Sequence, residues 1–167
     1  MPNWCKNRVT VLGEPGELQR FKKFVCNGEK SFNFGVIRPM PEALLHVRSP
    51  VQIVDTEEEA QKIIQEQEDN YLTSSYPITK ETQAKFCQEY GADNWYDWRI
   101  QNWGVKWDCS DVILNEGTFG QYHELEYNFD TPWGPPQEIH TVLVDEFPNL
   151  RIIWFWDEPC VGGIGYL

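Results

Sequence analysis

Between Gln121 and Trp156 the sequence changes its hydrophobic period twice, and few folds accommodate that in so short a run. In QYHELEYNF, His123, Leu125, Tyr127 and Phe129 alternate with Tyr122, Glu124, Glu126 and Asn128, the period of a strand with one buried face. A Thr-Pro-Trp-Gly-Pro-Pro turn follows. Pro135 and Pro136 suit a first helical turn, whose amide hydrogens have no intrahelical partner. Ile139, Val142, Leu143 and Phe147 then recur at helical spacing, and the helix is expected to stop near Pro148-Asn149. Leu150 to Trp156 reads as a second strand, apolar on both faces, so it has cover on both sides or carries an incompletely buried aromatic patch. The result is a strand, helix, strand unit.

The N-terminal part repeats the pattern. Lys6 to Leu12 reads as a strand ending at Gly13, and the Gly13-Glu14-Pro15-Gly16 turn leads into a helix carrying Leu18, Phe21, Phe24 and Val25, with Gly28 as its C-cap. Phe32 and Phe34 suggest a short strand over Ser31 to Val36, ended by Arg38-Pro39-Met40-Pro41. Residues 42–104 read as a mostly helical insertion. Thr56-Glu57-Glu58-Glu59 is a capping box, Thr79 caps a helix that Gly91 stops, and Asp93 or Asn94 starts a helix from Trp95 to Trp103 that Gly104 ends. Val105 to Cys109 and Val112 to Leu114 suit a strand broken around Ser110-Asp111, with a turn at Asn115-Glu116-Gly117. Cys160 to Leu167 gives a last short strand or a loose tail. Two β-α-β units in one domain, 1–167, imply an α+β fold: a ferredoxin-like antiparallel sheet with helices on one face and the insertion 42–104 within it. Either Ser31 to Val36 or Val105 to Leu114 is the second strand of that sheet, and the other becomes an added edge.

Charge is segregated along the chain. Residues 1–50 carry eight basic and four acidic side chains, residues 51–167 six and twenty-two, so balances of +4 and -16 make up the net -12. Such a surface repels phosphate backbones and suits a basic protein partner. The N-terminal Lys6, Arg8, Arg20, Lys22 and Lys23 are the residues that would serve a nucleic acid. The opening MPNWCKNRV is no secretory signal and no apolar run would span a bilayer, which leads us to expect a cytoplasmic protein. Five widely separated cysteines without a CxxC pair argue for free thiols rather than a disulfide framework or zinc site.

The most distinctive chemistry-bearing stretch is WYDWRIQNWGVKWD. Trp95, Trp98, Arg99 and Asn102 share a helix face, and Lys106 and Asp108 come just after it, a set able to stack on a base or anchor a peptide. The same spacing serves packing, and most of eight tryptophans must pack in a chain of this size. Glu124 and Glu126 share a strand face as a glycosidase pair would, but so do the residues of any solvated strand. His123, on the apolar side, reads as a core or boundary histidine. No HExxH, Walker loop or nucleophile elbow is present, so no metal or cofactor is expected and a non-enzyme is favoured.

The blocks MPNWCKNRVTVLG, FNFGVIRPMP, WYDWRIQNWGVKWD and FDTPWGPP, in that order, resemble an uncharacterised phage- and plasmid-borne family with a ferredoxin-like domain of the YubB type. That family often has Ser where this chain has Gly134, so a side-chain helix cap is lost here, although Gly serves nearly as well. The resemblance implies a fold and a mobile-element context, with no activity attached. The expected function is a non-enzymatic accessory binding protein contacting a basic host or phage protein, for example by mimicking DNA charge. Two alternatives are a nucleic-acid-binding module with rings exposed on its sheet and a small-molecule enzyme in which Asp97, Arg99, Asn102 or His123 converge on a pocket at the insertion.

Overall fold

The computed structural model describes residues 3–68, 76–120 and 122–167; Gln121, at the start of the strand expected from the sequence, and part of the insertion lie outside them. In chain order the elements are β1 (Trp4–Gly13), α1 (Pro15–Val25), α2 (Phe34–Ile37), a 3-10 turn (Glu42–Leu44), β2 (Ile53–Val54), α3 (Glu57–Glu68), β3 (Ile78–Thr79), α4 (Lys80–Tyr90) and α5 (Trp95–Trp103). They continue with β4 (Ser110–Phe119), β5 (Tyr122–Pro132), α6 (Gln137–Glu146), β6 (Arg151–Glu158) and β7 (Gly163–Tyr166). Two compact units result, one of Met1–Pro39 with Gln101–Leu167 and one of Met40–Ile100.

The first unit holds a five-stranded antiparallel sheet in the order β4-β5-β1-β6-β7. Without β7 this is the ferredoxin-like arrangement, with α1 crossing from β1 to β4 and α6 from β5 to β6. One sheet face is apolar. Cys5, Val9 and Val11 of β1 stand in register with Thr131, Tyr127 and Leu125 of β5, and Val9 with Trp154 of β6, all buried. Leu18, Phe21 and Val25 of α1 and Ile139 and Leu143 of α6 are the buried helical positions that cover this face. Rings lock the layers together: Phe21 lies 6.0 Å from Tyr127 and 5.0 Å from Phe147, and Phe129 lies 5.6 Å from Trp154. A buried polar chain runs through the same layer. The Trp154 indole donates to Asn7 Oδ1 (3.0 Å), the Asn7 amide donates to Thr131 Oγ1 (2.7 Å), and that hydroxyl donates to the Gly134 carbonyl (2.7 Å), so these three buried side chains satisfy one another.

Between the two expected candidates for the second strand, the structure chooses β4. Ser31 to Val36 is not a strand: Asn33 Oδ1 accepts the Val36 amide (2.9 Å) and starts α2, and Phe32 and Phe34 turn into the core. Phe32 stacks on Phe129 at 5.0 Å, so its alternation with Phe34 reflects a ring cluster rather than a pleat. Val105 to Cys109 is likewise a loop, anchored by buried Val105 and Cys109 with Trp107 exposed between them, and β4 begins only at Ser110, with the expected irregularity between Ser110 and Ile113. Asn115-Glu116-Gly117 is not a turn. It pairs with Glu126, Leu125 and Glu124, and the chain reverses beyond Phe119, where Gly120 takes a positive φ. Helix α1 ends at Val25 with an extended Cys26, ahead of the expected Gly28, which sits in the following turn. The last strand is β7, where Gly163 and Gly165 make room for Trp156: a Cβ on Gly163 would stand 2.9 Å from its ring.

In the second unit β2 and β3 are short, parallel and each followed by a helix. Thr56 Oγ1 accepts the Glu59 amide (3.1 Å) and Glu59 reaches back to the Asp55 amide (3.2 Å), one residue beyond the expected box partner. Thr79 caps α4 through the Thr82 amide (3.2 Å), and Gly91 ends it at φ 78°. Asn94 is the cap of α5, accepting the Asp97 amide at 3.0 Å. Gly104, which follows α5 in the first unit, is doubly constrained. Its φ is 82°, and a Cβ there would lie 2.9 Å from the Gln137 amide nitrogen at the start of α6.

Candidate functional site

Because side chains alternate along a strand, the residues between the buried ones form a second sheet face, and no helix of the first unit covers it. Cross-strand register determines who meets whom there. One row runs Ile113, Asn128, Arg8, Phe155, Tyr166; the row beside it runs Ser110, Asp130, Lys6, Asp157, Ile164. In the other direction come Asn115, Glu126, Thr10 and Ile153, then Gly117, Glu124, Leu12 and Arg151.

Two shallow depressions of about 340 and 180 Å³ open on this face, both lined by Lys6, Asn7 and Asn128. Asp111, Ile113, Phe129 and Asp130 complete the larger; Arg8, Phe155 and Asp157 complete the smaller. Asp111 belongs to the irregular start of β4 and has φ 53°, a conformation an aspartate tolerates, and the bulge is what brings it to the rim. Lys6 Nζ pairs with Asp130 at 2.6 Å, and the Arg8 guanidinium lies over the Phe155 ring at 5.2 Å. Asp157, opposite Lys6 in β6, forms no ion pair among the described residues. Glu126 instead accepts from the amides of Asn128 (2.9 Å) and Asn115 (3.4 Å). The face thus combines separate carboxylates with a few cations and an aromatic edge of Phe155 and Tyr166, whose rings meet at 5.4 Å.

At one end of the sheet stand two indoles in partial contact with solvent. Trp4, 36% exposed, pairs with Pro132, and the next residue, Trp133, is 54% exposed. Trp133 has φ 73°, an unusual conformation for a bulky side chain, and its amide donates to the Asn3 carbonyl at 2.9 Å.

The six residues singled out in the sequence have different environments. Trp95 and Arg99, half-buried in the second unit, stack with the guanidinium 5.3 Å from the ring centre, whereas Trp98 is only 5% exposed. In the first unit Asn102 is half-buried and Lys106 Nζ lies 3.9 Å from the Trp107 ring centre. Asp108 is a structural clamp. Its carboxylate accepts from the Phe34 amide (2.8 Å), the Cys109 amide (2.9 Å), the Asn33 side chain (2.6 Å) and Lys30 (3.3 Å). His123 shares the parity of the core residues yet is exposed, because it lies at the open end of β5 beyond Leu125. All five cysteines are free; burial pushes the Cys5 thiol up to about 11 and raises that of Cys109 further, so neither is poised as a nucleophile at neutral pH.

The sheet-face residues Asp111, Asn128, Asp130, Phe155, Asp157 and Tyr166 were not candidates from the sequence. Alternation in residues 121–129 marks the outward set, but only the register brings Lys6 and Arg8 of β1 among them. Among the described residues no group of His, Cys, Asp or Glu is arranged to hold a metal ion, and no helix is long and apolar enough to cross a membrane.

No family model matches the sequence, and no curated protein matches it. Among solved structures the chain is similar to the crystal structure of a protein api92 from Yersinia pseudotuberculosis, described under the family model DUF1281. The TM-score is 0.58 at 13% identity, over 99% of this chain and 93% of that chain, a likeness of fold.

Proposed function

We propose that this chain is a non-enzymatic accessory binding protein of a mobile element, acting in the cytoplasm, whose uncovered sheet face engages a basic segment of a host or phage protein. The observation that carries the reading is the arrangement of charge and rings on that face. Glu124, Glu126 and Asp130 occupy three outward positions of the inner strand β5, with Asp111 and Asp157 on either side, against Lys6, Arg8 and Arg151. Ferredoxin-like sheets that stack bases do so on rings of their central strands, and here the inner strands β5 and β1 present no outward ring from Glu124 to Asp130 or from Lys6 to Thr10, carrying carboxylates on β5 and Lys6 and Arg8 on β1, with Phe155 and Tyr166 displaced to one side. A phosphate backbone would meet repulsion where a lysine or arginine would meet partners. The sequence blocks that resemble the YubB-type family support the mobile-element setting. Asn102 and Lys106 of the first unit are proposed as additional contacts, and Trp95 and Arg99 as a separate contact surface of the second unit.

The test is capture from host lysate, treated with nuclease, on immobilised wild type and on a Glu124→Gln/Glu126→Gln/Asp157→Asn variant of equal thermal stability. Basic proteins held by the wild type and released by the variant are the expected result. Retention only before nuclease treatment, or equal retention by both, overturns the reading.

A further inference from the structure

Burial alternates along β1 from Trp4 to Val11 and then fails at Leu12, which has the parity of the uncovered face yet is only 7% exposed. Leu12 forms the floor of a third depression, of about 220 Å³, at that end of the sheet. Its walls are Tyr122 at the start of β5, Asn149 in the turn before β6 and Arg151 at the start of β6, with Gly13 beside Leu12. A Cβ on Gly13 would overlap the Leu150 side chain, so the glycine lets the turn that carries Asn149 and Arg151 close against the end of β1. Because β5 and β6 flank β1, Tyr122 and Arg151 rise from strands roughly 10 Å apart. Among the described residues the side chains of Tyr122, Asn149 and Arg151 form no hydrogen bond or ion pair. Arg151 is the one basic residue from Trp107 to Leu167, among eleven acidic ones, and it is paired with none of them.

We propose that this depression binds a small aromatic carboxylate, its ring against Tyr122 above Leu12 and its acid group held by the Arg151 guanidinium and the Asn149 carboxamide. Charge complementarity selects the acid: a guanidinium fork matches a carboxylate through two parallel hydrogen bonds, and a carboxamide supplies a further donor. The apolar floor and the tyrosine ring select the planar group, since aromatic rings stack or meet edge to face at little entropic cost. The volume is that of roughly seven waters at about 30 Å³ each, room for a single ring with its acid. Glu124 stands beside Leu12 in the same cross-strand row, and with the net charge of -12 it favours a singly charged carboxylate over a phosphate dianion. The depression lies at the opposite end of β1 from Lys6, about 20 Å along the strand, so its occupancy is independent of a basic partner at Asp130 and Asp157.

The probe is benzoate, titrated into the isotopically labelled full chain and followed by backbone amide chemical shifts, with benzamide, acetate and phenyl phosphate as comparisons. Benzoate should move the amides of Gly13, Tyr122, Asn149 and Arg151 saturably, and benzamide and acetate should each bind about tenfold more weakly. Arg151→Gln should weaken benzoate about tenfold, Arg151→Lys less, and Tyr122→Ala about fivefold. Both side chains are exposed, so the variants should keep the wild-type spectrum over the rest of β1. No saturable shift at those four amides, or a loss no greater for Arg151→Gln than for Lys23→Gln on the exposed side of α1, overturns the site. Acetate bound as tightly as benzoate, or phenyl phosphate bound more tightly, overturns the ligand class.

Discussion

Asp108 illustrates how one side chain can look like chemistry in the sequence and serve architecture in the fold. Its two oxygens collect two backbone amides, one carboxamide and one ammonium, and so tie the start of α2 to the loop before β4. Asp108→Ala strips acceptors from donors that are only partly reachable by water, and should cost about 2 kcal/mol, read as a lower urea midpoint with an unchanged slope. His140 provides a second, pH-dependent test. Burial lowers its pKa below the ordinary histidine value, its ring lying 5.7 Å from that of Trp154. The unfolded chain therefore binds the proton more readily than the folded one. Its contribution is favourable above the unfolded pKa, about 6.5, and is lost as pH falls through the lower folded pKa. His140→Gln should flatten the difference in thermal midpoint between pH 7 and pH 5 relative to wild type; an unchanged pH slope would remove His140 from the account.

The edge strand β7 joins the sheet through four cross-strand pairs with β6, and on its covered side only hydrogen atoms face the Trp156 ring. Gly163→Val would force a Cβ to within 2.9 Å of that ring and displace either the indole or the strand. Amide hydrogen exchange should accelerate over Gly163–Tyr166 while β1 and β5 keep their protection, since β1 is paired on both sides and does not depend on the edge. The other edge, β4, is built differently, with a bulge at Asp111 and the charged Glu116. Such features discourage edge-to-edge pairing. The elements that sequence periodicity located well are those with one clear buried face: β1, β5, α1 and α6 match their expected positions to within a few residues at either end. It failed at Ser31 to Val36 and at Asn115 to Gly117. Local residue types there favour a strand and a turn, and the winning interactions are long-range, with Phe32 against Phe129 and Asn115 against Glu126.

For the whole molecule the net charge of -12 is the property most open to experiment. If the partner is held through carboxylates on a largely uncovered face, capture must weaken with salt, because the screening length falls from about 30 Å at 0.01 M to about 3 Å at 1 M. Retention that survives high salt would instead assign the binding to apolar contacts at Ile113, Phe155 and Tyr166, all on the same face.

Periodicity, caps and turn residues, all local, were enough to establish two β-α-β units and a helical insertion, because each depends on neighbours within a few positions along the chain. The candidate face was not accessible in that way. That Lys6 stands between Asp130 and Asp157, that Asp111 reaches the same rim, and that Trp133 is held exposed beside the end of β1 follow from register, a bulge and a ladder hydrogen bond. The pairings of Lys6 and of Asn3 join residues more than a hundred positions apart, and that of Ser110 with Asp130 joins residues twenty apart. A one-residue slip in any of those pairings would exchange the two faces of a strand while leaving every local signal unchanged, so only the tertiary structure decides which residues share a surface.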